Sequence, residues 1–97
     1  MSNFIKKGQP HIWLPYTQMQ IAPRQLEVVS TDGVKIKLSD GRELIDGISS
    51  WWSVAHGYNH PDIVAAITKQ AQILPHIMMA GLANEQTYRL AYNIAQI

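Results

Sequence analysis

Two Asp-Gly pairs, Asp32-Gly33 and Asp40-Gly41, constrain this chain more than any other feature, because they divide residues 25–46 into three short β-type runs. Tight hairpin turns need positive φ angles, which Asp-Gly supplies at little steric cost. The runs are Glu27-Val28-Val29-Ser30, Val34-Lys35-Ile36-Lys37-Leu38 and Glu43-Leu44-Ile45-Asp46. In the middle one, Val34, Ile36 and Leu38 alternate with two lysines, the period of a half-buried strand. A small antiparallel meander is the expected product.

The flanks follow other rules. Residues 1–10 read as a polar arm, and Pro10, Pro15 and Pro23 keep His11-Ile12-Trp13-Leu14-Pro15-Tyr16 out of a helix. Aromatics in such an irregular stretch are expected to dock on another surface. After the meander, Gly47, Gly57 and Asn59 tolerate unusual backbone angles and mark residues 47–60 as loop. Pro61 then suits the first turn of a helix whose apolar residues, Ile63, Val64, Ile67, Ala71 and Leu74, recur at helical spacing until Pro75. Asn84 is placed to cap a second helix, with Glu85 near the positive end of its dipole. Its apolar face, Leu90, Ala91, Ile94 and Ile97, reaches the last residue without a stop signal, which predicts a helix cut by the chain end and hence a piece of a longer protein.

Composition removes several function classes. With 46% hydrophobic and 15% charged residues the chain is ordinary globular material, not a disordered segment. A net charge of +1 with scattered lysines is no nucleic-acid footprint. The absence of cysteine removes disulfides, thiolate metal sites and a cysteine nucleophile. No apolar run approaches the roughly 20 residues needed to span a bilayer, and no targeting segment is visible, so a cytoplasmic protein that binds neither membrane nor nucleic acid is expected.

Single motifs carry less than they first offer. His56 and His60 have a spacing that on a helix presents two imidazoles to one metal, but Gly57, Asn59 and Pro61 oppose a helix and no third ligand is evident. No metal site is expected. Ser49, Ser50 and Ser53 lack the Gly-x-Ser-x-Gly elbow of a serine hydrolase, and the glycines form neither a dinucleotide nor a P-loop pattern. Trp51-Trp52 says more. Both could be core, yet adjacent tryptophans in a loop cannot share one direction, so one is expected to pack inward and the other to face a cavity or interface. Tyr16 and Tyr58 are available to the same wall.

Taken together, Asp46-Gly47-Ile48-Ser49-Ser50-Trp51-Trp52 and His56-Gly57-Tyr58-Asn59-His60-Pro61 resemble the amino-terminal region of the class III aminotransferases. The paired tryptophans, with His11-Ile12-Trp13-Leu14-Pro15-Tyr16-Thr17-Gln18-Met19 upstream, are similar to the biotin-synthesis branch of that class. The likeness runs from about His11 onward; Leu14 departs from it, where histidine is frequent, while Trp13, Pro15 and Tyr16 conform.

This resemblance implies an α/β enzyme of fold type I, a homodimer using pyridoxal 5'-phosphate, of which this segment is the α+β amino-terminal part. It divides into an arm with its aromatic segment (1–24), a meander with the Ser-Ser-Trp-Trp loop (25–60), and helices leading toward a large cofactor domain (61–97). The implied reaction moves an amino group from S-adenosylmethionine to 8-amino-7-oxononanoate, giving 7,8-diaminononanoate. The resemblance assigns Tyr16, Trp51 and, less centrally, Trp52 to substrate binding, and Gly81 to the neighbourhood of the partner subunit's cofactor. No catalytic residue is expected here, because Lys6, Lys7, Lys35, Lys37 and Lys69 match no cofactor-bearing lysine of the class. The 97 residues alone are expected to be inactive. The competing reading is a non-catalytic remnant or a small aromatic ligand-binding module.

Overall fold

The structure, a computed structural model, describes residues 3–97. It divides after His60 into two compact units. The first opens with a short helix, α1 (Asn3–Gly8), and a 3-10 turn, Gln9–His11, where a polar, extended arm was expected. Pro10 within that turn has no N–H to leave unpaired, so a tight opening turn costs it nothing. The chain is extended again at Ile12.

The meander forms as its turns dictate. Strands β1 (Val28–Asp32), β2 (Lys35–Leu38) and β3 (Glu43–Ile45) pair antiparallel in the order β1-β2-β3. Asp32 pairs with Lys35, so the first turn is Gly33-Val34, with Gly33 at φ 55°. The second closes through a Gly41 N–H to Leu38 carbonyl bond of 3.1 Å, with Gly41 at φ 90°. There the exposed Asp40 carboxylate accepts from the Arg42 backbone (3.1 Å) and guanidinium (2.9 Å), which holds it below the ordinary carboxylate range. The register slips between Val28 and Ser30, leaving Val29 as a bulge that realigns the outer strand.

Register then sorts the faces. Thr31, Ile36 and Leu44 stand opposite one another across the sheet and are half-buried, and Leu38 is the one buried apolar residue among those described. On the other face Lys35 reaches diagonally to Glu43 at 3.0 Å, an exposed pair of small energetic weight.

The second unit holds two helices. The first, Pro61–Ile73, has 13 residues and ends just before Pro75, as its spacing predicts. The second, Glu85–Ile94, begins with the Asn84 side chain accepting from the Thr87 N–H at 3.0 Å. Contrary to expectation, this helix does not continue to Ile97. Ala95 caps it, and the Gln96 and Ile97 N–H groups turn to the Asn93 and Ile94 carbonyls, the tighter pattern that ends many helices. Among the described residues no helix is long and apolar enough to cross a membrane.

Candidate functional site

The strand end at Asp46 leads into a one-turn helical segment, α2 (Ser49–Trp52), where loop was expected. Its hand is unusual: φ is positive at all four residues, 49° at Ser49, 48° at Ser50, 58° at Trp51 and 68° at Trp52. Left-handed backbone costs an L-residue roughly 1–2 kcal/mol, and it normally occurs singly. Such a run persists only where its surroundings determine it.

Those surroundings centre on Asp46. Its Oδ1 accepts from the Ile48 N–H (3.0 Å), and its Oδ2 accepts from the Ser50 N–H (2.7 Å) and the Tyr58 hydroxyl (2.6 Å). The hydroxyl bond holds the carboxyl below its ordinary range against an opposing desolvation, and the backbone donors add to the lowering. The same carboxylate raises the Tyr58 hydroxyl above its ordinary value. Within the turn, the Ser53 hydroxyl donates to the Ser50 carbonyl at 2.7 Å, and the Val54 N–H reaches the Ser49 carbonyl at 3.2 Å.

Tyr58 is itself tied to the first hairpin turn. Its N–H donates to the Gly33 carbonyl (2.7 Å), and the Gly33 N–H donates back to the Tyr58 carbonyl (3.1 Å). The Asp46 N–H reaches the adjacent Val34 carbonyl at 2.8 Å. Asn59, at φ 56°, donates its side-chain amide to the Thr31 carbonyl. The sheet thus carries both ends of the Asp46–Tyr58 pair.

A cavity of about 290 Å³ opens beside this pair, lined by Ile36, Asp46, Ile48, Ser50, Trp51 and Tyr58. Its size is at the lower edge for a small-molecule site, enough for an aliphatic chain or one edge of a ring system. Tyr16 meets Trp51 edge to face, with ring centroids 5.4 Å apart and planes at 79°. Tyr16 is also left-handed, at φ 49°, and its edge-on contact leaves most of its ring open.

Of the residues singled out from sequence, the structure brings together Tyr16 and Trp51, and places Tyr58 on the same cavity. Contrary to expectation neither tryptophan packs inward: Trp51 is 54% exposed, and Trp52, at 86%, is no core residue of this chain. Gly81, in the second unit, has φ 83° with nothing within 4 Å of where a Cβ would stand, so its backbone is open to close approach. His56 and His60 stack edge to face, and no group of three potential metal ligands occurs among the described residues. Asp46 is the residue sequence reasoning missed. Its place in the sequence marks it as the end of a strand, although an aspartate two residues before a loop N–H is also the signature of an Asx turn.

For a pyridoxal phosphate the fit is partial. The aromatic wall suits an adjoining flat group, whereas Lys35 is engaged with Glu43 at the surface. The described residues therefore fit a boundary of such a site and not the anchoring of the group.

The family model described as Aminotransferase class-III matches residues 16–97. A curated relative, adenosylmethionine-8-amino-7-oxononanoate aminotransferase of Synechococcus elongatus, is 49% identical over 90 residues, 93% of this chain and 21% of that protein. The chain thus spans about a fifth of the length of the curated relatives it matches. Among solved structures, the adenosylmethionine-8-amino-7-oxononanoate aminotransferase of Methanocaldococcus jannaschii superposes with a TM-score of 0.83 at 28% identity, covering 94% of this chain and 21% of that one. A PLP-bound amine transaminase from an uncultivated Pseudomonas species does so with a TM-score of 0.78, also at 28% identity, over 89% of this chain and 20% of that one. The meander followed by helices is therefore the segment these transaminases share.

Proposed function

The chain belongs to the class-III aminotransferase family, and from that premise we propose that it serves an adenosylmethionine-8-amino-7-oxononanoate aminotransferase as one wall of its substrate pocket. The observation that carries this reading is the Tyr16–Trp51 edge-to-face pair beside the cavity. The 49% identity to a relative of that name supports the choice of substrates.

Such a pocket must take in turn a sulfonium bearing an adenine ring and a long aliphatic keto acid. Aromatic faces serve both. The ring quadrupoles of Trp51 and Tyr16 attract the cation, stack on adenine and cover methylenes without demanding a hydrogen bond. Pyridoxal 5'-phosphate, when bound, supplies the electrophile and electron sink for amino transfer. In this reading Trp51 excludes water from the aliphatic chain, Tyr16 fixes the tilt of the Trp51 ring, and Trp52 contributes from the rim. The Gly81 backbone borders the cofactor of the partner subunit in a cytoplasmic homodimer.

Replacing Trp51 by alanine in the intact protein tests the wall. Losing cover over about two methylenes costs about 1.5 kcal/mol, so the KM for 8-amino-7-oxononanoate should rise about tenfold. An unchanged KM would leave Trp51 no role in substrate binding. The 97 residues alone should show no transamination; a lysine-bound cofactor absorbing in the visible would refute that. A second reading, a binding module without catalysis, draws on the Tyr16–Trp51 pair being complete within this chain. It predicts that the isolated chain binds S-adenosylmethionine in a calorimeter.

A further inference from the structure

We propose that Asp46 and Tyr58 are positioning residues, whose carboxylate–hydroxyl pair holds the Ser49–Trp52 turn in its left-handed form and thereby sets Trp51 over the cavity and against Tyr16. The functional consequence rests on the reading of Trp51 as a substrate wall; the structural one does not.

Nothing local favours the hand of this turn. Glycine, asparagine and aspartate are the residues that enter left-handed backbone readily, and Ser-Ser-Trp-Trp contains none of them. The compensation is supplied from outside the turn. Asp46 accepts the N–H groups of Ile48 and Ser50, which point to one carboxylate only while the backbone between them keeps this curvature. Tyr58 donates to the oxygen that also receives Ser50, so the hydroxyl fixes the carboxylate plane.

Both anchors stand on the β1–β2 turn. Asp46 is bonded through its N–H to Val34, and Tyr58 by two backbone bonds to Gly33. A short helical turn is thus referred to a rigid hairpin. With three donors on its two oxygens, Asp46 is occupied as an acceptor and is suited to positioning, not to proton transfer. A right-handed turn through the same residues would send the Trp51 side chain elsewhere and give up its contact with Tyr16.

The test uses the intact protein with Asp46→Asn, Tyr58→Phe, and Ser49→Gly as suppressor. Ser49 lies in the turn but does not line the cavity, and a glycine there removes one left-handed penalty. Asp46→Asn is expected to raise the KM for 8-amino-7-oxononanoate about tenfold, as Trp51→Ala does, with kcat within about twofold. Ser49→Gly should return most of that loss, and Asp46→Asn should add nothing in a Trp51→Ala background. Near-ultraviolet circular dichroism should change in Asp46→Asn, and change less when Trp51 is already absent.

Should Asp46→Asn not fold, Tyr58→Phe keeps the ring, removes only the donated bond, and should give the same pattern at a few-fold size. Failure of suppression, or multiplicative effects of Asp46→Asn and Trp51→Ala, overturns the proposal. So does an unchanged aromatic spectrum. If Trp51→Ala leaves KM unaltered while Asp46→Asn still shifts the Trp51-dependent spectrum, the wall reading falls and the clamp stands.

Discussion

Replacing Gly57 by alanine probes the joint on which the site depends. Gly57 sits at φ 82°, and a Cβ there would stand 3.0 Å from the Gly33 carbonyl oxygen and 3.4 Å from its carbon. The obstacle is backbone, and it cannot swing aside, because that oxygen already accepts the Tyr58 N–H at 2.7 Å. Left-handed backbone costs alanine about 1–2 kcal/mol, of which the smaller entropy of the unfolded chain returns about 0.4–1 kcal/mol. Relieving the contact lengthens the paired Gly33–Tyr58 bonds, each worth about 0.5–1.5 kcal/mol. The balance is a loss of about 2 kcal/mol.

Gly47→Ala is the matched control. Gly47 is outside the left-handed region and has open space around its Cβ position, so alanine there should be neutral or slightly stabilising. Urea unfolding of the intact proteins, followed by circular dichroism, should place the Gly57→Ala midpoint about 1 M below that of Gly47→Ala, at slopes of about 2 kcal/mol per molar. Equal midpoints would refute the claim that the Gly33–Gly57 approach holds this joint.

Two further outcomes follow from the same structure. Asn84→Ala removes the acceptor of the Thr87 N–H and should cost about 1 kcal/mol in thermal unfolding, with Asn84→Asp close to neutral. For the Asp46–Tyr58 pair, the carboxyl is depressed in the folded state, so its contribution is complete above the ordinary carboxylate value and is lost as pH falls through the folded one. The Tyr58 hydroxyl is raised, so its contribution is complete below the ordinary phenol value and lost as pH climbs through the folded one. The aromatic dichroism should therefore be flat between about pH 5 and about pH 9 and change on both sides, and Tyr58→Phe should reduce the alkaline limb.

Much of the fold was legible in the chain itself. The meander follows from Asp32-Gly33 and Asp40-Gly41 with alternating apolar residues, and the helices from Pro61, Pro75 and the Asn84 cap. These are rules about neighbours in sequence. The exceptions have local causes of small energy: a few residues near the amino terminus gain a helical turn in α1, and the last helix ends at Ile94 before its apolar pattern does. Propensities that differ by tenths of a kcal/mol cannot decide single turns at chain ends.

The aromatic residues and their order were likewise determined by sequence, which is why the family could be recognised from Ser49-Ser50-Trp51-Trp52 and its flanks. Which tryptophan faces the cavity was decided only in three dimensions. It depends on the hand of one turn, and that hand is held by a carboxylate and a hydroxyl 12 positions apart that meet because a hairpin brings them to the same edge. Local backbone preference opposes the left-handed form; hydrogen bonds from outside the turn outweigh it, and while the two from Asp46 are local, the one from Tyr58 spans 12 positions and no short pattern encodes it.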